Sequence, residues 1–92
     1  MDFKKYQFLF SHEAELSFAD LAKILQIRIL KKIDFWEKTG KPLSFAKALT
    51  GDHRRFRFRV GDYRIIISET PQAKLVILLI LKIDHRSSVY KD

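Results

Sequence analysis

From Arg55 to Val60 the chain alternates arginine with apolar residues, and a period of two predicts a half-buried β-strand. Phe56, Phe58 and Val60 then face one way and Arg55, Arg57 and Arg59 the other. A second strand-like run, Tyr63-Arg64-Ile65-Ile66-Ile67, follows Gly61-Asp62, a glycine-first pair of the kind that closes a tight hairpin. A two-residue turn sets the register, so that Val60 faces Tyr63, Arg59 faces Arg64, Phe58 faces Ile65 and Arg57 faces Ile66.

Upstream, Tyr6-Gln7-Phe8-Leu9-Phe10 predicts a short first strand, and Ser11 offers a helix N-cap with Glu13 and Glu15 in the first turn. From there to Lys38 the period is helical. Phe18, Ala22, Leu25, Ile29, Ile33 and Trp36 form an apolar stripe, with Lys23, Lys31, Asp34 and Lys38 on the other side. No glycine or proline interrupts this segment, yet an unbroken helix of about 27 residues would be about 40 Å long, more than so small a domain can cover. A break between Ser17 and Lys23 is therefore expected, folding the segment into a helical hairpin that ends at Thr39-Gly40-Lys41-Pro42. Ser44 to Leu49 reads as one further helical turn, closed by Thr50-Gly51. Beyond a turn at Thr70-Pro71-Gln72, the stretch Leu75–Leu81 is apolar on both faces. That predicts a central strand covered on each side, or one whose second face meets a partner. The order of elements is that of an α+β fold: an N-terminal strand, a helical hairpin, then a three-stranded antiparallel meander.

Composition narrows the possible roles. Ninety-two residues make one domain, 1–92, with 47% hydrophobic and 13% aromatic residues to form a core. The balance of 18 Lys+Arg against 11 Asp+Glu, a net charge of +7, favours a polyanionic partner, with nucleic acid first. A ribosome-bound role or an acidic protein partner fits that charge equally well. The absence of cysteine excludes disulfides and thiolate zinc sites and suits a reducing, cytoplasmic location. Residues Met1–Tyr6 lack the apolar core of a signal peptide, and Leu75–Leu81 falls far short of the roughly 20 residues that span a bilayer, so no membrane role is expected.

The candidate chemistry lies in the hairpin. Like charges directly opposed across a sheet are destabilising, so Arg59 facing Arg64 asks for an anion between them. A solvated face or a protected sheet edge is the plainer alternative. The use of arginine favours the anion, because the guanidinium fork matches phosphate oxygens two at a time. His12, His53 and His85 have no metal-ligand spacing, no glycine-rich phosphate loop precedes a helix, and no serine stands on a nucleophile elbow. No metal or cofactor is expected.

Three segments carry a resemblance: Leu49-Thr50-Gly51, then Phe56 to Ile66, then Leu81-Lys82-Ile83-Asp84-His85-Arg86 with Val89-Tyr90. Together they resemble the RelE/ParE superfamily of toxins from bacterial type II toxin–antitoxin systems, with the RelE-like branch favoured. The resemblance implies helices packed on a twisted antiparallel sheet. It further implies a metal-independent endoribonuclease that cuts mRNA in the ribosomal A site, against 16S rRNA, and is neutralised by a cognate antitoxin. Two basic positions that are often lysine in RelE proteins fall on Arg57 and Arg59, and the arginine opening the next strand falls on Arg64. The arginine after the last strand falls on Arg86, the C-terminal tyrosine on Tyr90, and His85 matches a position that is histidine in many relatives. Arg59, Arg64 and Arg86 suit charge stabilisation. Arginine cannot readily give up a proton, which leaves Tyr90 as the favoured base with His85 or a ribosomal group assisting. His53, Arg54 and Arg55, ahead of the hairpin, are candidates for RNA contact. The alternatives are a ParE-like inhibitor that binds DNA gyrase without nuclease activity, and a catalytically decayed antitoxin-binding protein.

Overall fold

The structure is a computed structural model that describes residues 4–51 and 54–85. The element order is β1 (Lys5–Phe10), α1 (His12–Ala19), α2 (Lys23–Thr39), a 3₁₀ turn (Pro42–Phe45), β2 (Lys47–Ala48), β3 (Arg55–Val60), β4 (Tyr63–Pro71) and β5 (Leu75–His85). The strands form one five-stranded sheet in the order β1-β5-β4-β3-β2. Every neighbouring pair is antiparallel except β1 with β5, which run parallel. The helices between β1 and β2 cover one face of this sheet, as the α+β expectation requires.

The helical segment breaks where its length demands. Ser11 accepts a hydrogen bond from the Ala14 amide at 3.1 Å and starts α1, which ends at Ala19. Asp20, Leu21 and Ala22 make the bend. Gln26 of α2 reaches back over this end, its side-chain amide donating to the carbonyl oxygens of Phe18 at 2.9 Å and Ala19 at 3.4 Å. It thereby satisfies groups that the next turn of helix would otherwise bond. Ala22, expected in the buried stripe, is exposed because it stands in this bend immediately ahead of α2. Gly40, at φ 72°, ends α2 in the left-handed conformation that glycine adopts freely.

The core lies between the helices and the sheet. Ile29, Ile33 and Trp36 of α2 meet Phe8, Phe58, Val60, Ile65, Ile67, Val76, Leu78, Ile80 and Ile83. Trp36 lies over Phe58 with ring centroids 4.3 Å apart, and Phe8 closes the group edge-on to Phe58 at 5.4 Å. β5 holds a bulge. Ile67 pairs with Ile80 and Ile66 with Lys82, so Leu81 is an additional residue. The extra residue shifts the alternation by one and brings Ile83 to the same buried side as Val76, Leu78 and Ile80. β5 is central in the sheet order, between β1 and β4, but the helices cover only one of its faces, and Ile77 and Leu79 on the other are half-buried.

One local expectation is corrected. Ser44–Leu49 does not form a helical turn: the 3₁₀ turn comes earlier, at Pro42–Phe45, and Lys47–Ala48 pairs with Arg57 and Phe56 as an edge strand. Pro42, buried at the start of the turn, presets its geometry. The ladder bonds offered by β3 then override the mild helical propensity of Lys47 and Ala48.

Candidate functional site

The β3–β4 hairpin has the expected register throughout: Val60 pairs with Tyr63, Arg59 with Arg64, Phe58 with Ile65 and Arg57 with Ile66. Gly61, at φ 59°, takes the first position of the two-residue turn, as a type II′ hairpin requires. Since Phe58, Val60, Ile65 and Ile67 fill the core, the alternate positions lie on the face away from the helices. Arg55, Arg57 and Arg59 of β3 stand there beside Arg64 of β4. Lys47 of β2 joins them opposite Arg57, and β5 adds Lys82 and Asp84 opposite Ile66 and Arg64.

The charge on this face is concentrated and mostly of one sign. Asp84 tempers it: its carboxylate lies 3.6 Å from the Lys82 ammonium, and its backbone pairs with that of Arg64. Arg64 thus has a like charge across one ladder and an opposite charge across the other, so a protein carboxylate relieves part of the repulsion. At the β2 side, among the described residues, β3 pairs with Lys47 and Ala48 and with no carboxylate. There a shallow cleft of about 230 Å³ is lined by Ser44, Phe45, Ala46, Lys47, Arg57 and Arg59. Arg57 is half-buried, and its Nε is buried with no hydrogen-bond partner among the described residues. A buried donor of that kind costs stability unless something accepts from it. The cleft therefore gathers three cationic side chains, Lys47, Arg57 and Arg59, around one opening.

The remaining candidates separate from this group. His85 pairs with Tyr63, and the two rings meet edge-on at 5.1 Å. Tyr63 sits opposite Val60, whose side chain is buried, so His85 belongs to the helix side of the sheet and stands across it from the arginines. Arg54 takes a left-handed backbone, at φ 62°, and its guanidinium lies 3.7 Å from the Glu69 carboxylate, while its carbonyl accepts from the Glu69 amide at 2.7 Å. Arg54 therefore has a structural part in the turn before β3. Arg55 is exposed on the basic face and pairs with Ser68. His53, Arg86 and Tyr90 lie outside the described residues.

Sequence reasoning missed Phe45, Lys47 and Asp84. Lys47 and Phe45 reach the site through the edge strand and the turn before it, which the helical reading of that segment concealed. Asp84 was legible in principle, since the antiparallel meander places β5 beside β4. A further apolar groove lies on the outer side of α2, lined by Ile24, Ile27 and Phe35 together with Arg28, Lys31 and Lys32. Among the described residues no group of three or more His, Cys, Asp or Glu side chains is placed to hold a metal ion, and no helix is long and apolar enough to cross a membrane.

Fold and face together define an α+β protein with helices on one side of a five-stranded sheet and an arginine-rich surface on the other. That architecture is the RelE-like fold. A chain of the RelBE2 toxin–antitoxin complex from Mycobacterium tuberculosis matches with a TM-score of 0.72 at 23% identity, covering 89% of this chain and 99% of the other. A chain of the RelB-RelE antitoxin–toxin complex from Methanococcus jannaschii matches at 0.66 and 24% identity, covering 89% and 94%. A chain of the archaeal RelE-RelB complex from Pyrococcus horikoshii matches at 0.64 and 28% identity, covering 89% and 96%. No protein-family model and no curated protein matches the sequence.

Proposed function

We propose that this protein is a RelE-like toxin: a metal-independent endoribonuclease that cleaves mRNA in the ribosomal A site and is held inactive by a cognate antitoxin. The observation that carries the reading is the pairing of Arg59 with Arg64 across the hairpin, with Arg57 and Lys47 on the same face. Cleavage begins when the 2′-oxygen loses its proton and attacks the adjacent phosphorus, and it ends when the 5′-oxygen leaves with a proton. The phosphorane between these steps gains negative charge. Preorganised guanidinium groups stabilise that charge more than they stabilise the bound diester. Arg57, Arg59 and Arg64 take this part, with Arg86 from the chain beyond β5. Tyr90 is assigned the proton from the 2′-oxygen. His85 lies across the sheet from the arginines, so any share it takes in proton transfer must come around the end of β5.

The structural likeness to chains of RelB-RelE complexes supports an antitoxin partner. The α2 groove supplies a surface for it. Ile24, Ile27 and Phe35 are exposed on one side of the helix among Arg28, Lys31 and Lys32, which suits an acidic amphipathic segment. Leu9, Ile77 and Leu79, adjacent in register on the open face of the sheet, extend the apolar surface.

The test is a translation extract carrying a defined mRNA. Cleavage within codons is expected from the intact chain, reduced roughly a hundred- to a thousand-fold by Arg64→Ala, the loss typical of removing one transition-state donor. Tyr90→Phe should be impaired to a similar degree. Intact mRNA at saturating protein would remove the reading. Asp84 beside Arg64, and His85 on the far face, favour a second reading in which the chain binds its antitoxin but does not cleave. Intact mRNA and normal growth of cells that express the chain without antitoxin would establish that one. A ParE-like action would show as loss of gyrase supercoiling, with the mRNA untouched.

A further inference from the structure

The cleft beside β3 contains more than cations. Phe45 is 47% exposed although it is a large apolar side chain, and it shares the cleft with Lys47, Arg57 and Arg59. Lys47 pairs with Arg57 in the β2–β3 ladder. Continuing that register by two residues brings Phe45 alongside Arg59. The Phe45 ring is held from behind by Phe35 of α2, edge-on with centroids 5.5 Å apart. Its backbone is held by the 3₁₀ turn, where buried Pro42 anchors one end and the pairing of Lys47 and Ala48 the other. The result is a buttressed aromatic ring, partly open to solvent, in the same cleft as a half-buried arginine whose Nε has no acceptor among the described residues.

We infer that Phe45 is a nucleobase-stacking platform, and that the cleft grips one nucleotide of single-stranded RNA with its base on Phe45 and its phosphate among Arg57, Arg59 and Lys47. Phosphate contacts position a strand but do not distinguish an ordered base from a displaced one. An aromatic ring supplies that second constraint, because every base has a π-face and stacking tolerates any sequence. Phe45 thereby sets the angle at which the strand crosses Arg59 and Arg64, which makes it a positioning residue for the reaction proposed above, and the inference rests on that proposal.

The probe is a fluorescein-labelled 2′-O-methyl pentanucleotide, which cannot be cleaved, compared with the same strand carrying one abasic ribose. Binding to the full chain is followed by anisotropy. Phe45→Leu should weaken the intact strand roughly ten-fold, in line with alanine-scanning values for single stacked bases, while Phe45→Trp binds as wild type. The abasic site should cost the wild type about the same factor and cost Phe45→Leu nothing more. Arg57→Gln should weaken both strands equally. Circular dichroism of Phe45→Leu confirms that the fold is kept. Wild-type affinity in Phe45→Leu, or an abasic penalty of equal size in both proteins, would overturn the stacking role, and continued loss of binding in Arg57→Gln would leave the ribonuclease reading standing. Stacking behaviour as expected, without cleavage in the translation extract, would sink the ribonuclease reading and leave the platform. No binding of either strand by the wild type overturns both.

Discussion

Arg59 and Arg64 show how far a residue pattern can be carried. Strict alternation from Arg55 to Val60, together with a glycine-first turn, determines which side chains are opposed, and the structure has that register without a slip. What alternation does not show is the third strand. Asp84 pairs with Arg64 from β5, and the bulge at Leu81 determines which β5 residues reach the open face. Without the bulge, Ile83 would face solvent and Asp84 would turn toward the core. The turn itself depends on Gly61. Its φ of 59° strains any residue with a Cβ, and a Cβ there would meet the Arg28 guanidinium at 3.4 Å. Gly61→Ala should therefore cost about 1–2 kcal/mol. In a domain of this size that lowers the melting temperature by roughly 4–8 °C per kcal/mol. An unchanged melting temperature would mean that the hairpin closes by a different turn.

Among the elements, the helical hairpin and the edge strand were unequally legible. The break before Lys23 followed from length alone, since a continuous helix would have outgrown the sheet. Its position depends on Gln26 reaching back to the carbonyls of Phe18 and Ala19, a tertiary-like contact that no local pattern signals. Gln26→Ala should lose about 1 kcal/mol and speed amide exchange in the last turn of α1. Uniform protection across α1 and α2 in the variant would contradict this. β2 was not legible because two residues carry no periodicity and their strand state comes wholly from β3. That omission hid half of the cleft, because Phe45 and Lys47 are positioned by the same short segment.

For the molecule as a whole, the proposed function and the stability draw on opposite faces of one sheet. The helix side holds Phe8, Trp36 and Phe58 in a tight aromatic group. Phe58→Ala should cost about 3–5 kcal/mol, a large part of what a domain of this size possesses, and show as a lowered urea midpoint. The open side carries arginines placed against one another at some cost to the free protein. Arg59→Gln probes this opposition, with melting temperature and RNA affinity measured on the same sample. If Arg59 is held against Arg64 to receive a phosphodiester, relieving the repulsion should raise the melting temperature by a few degrees, since opposed like charges cost about 0.2–1 kcal/mol, while binding of single-stranded RNA falls. A variant that melts no higher than wild type and binds RNA as tightly would mean that Arg59 is not held there for a phosphodiester.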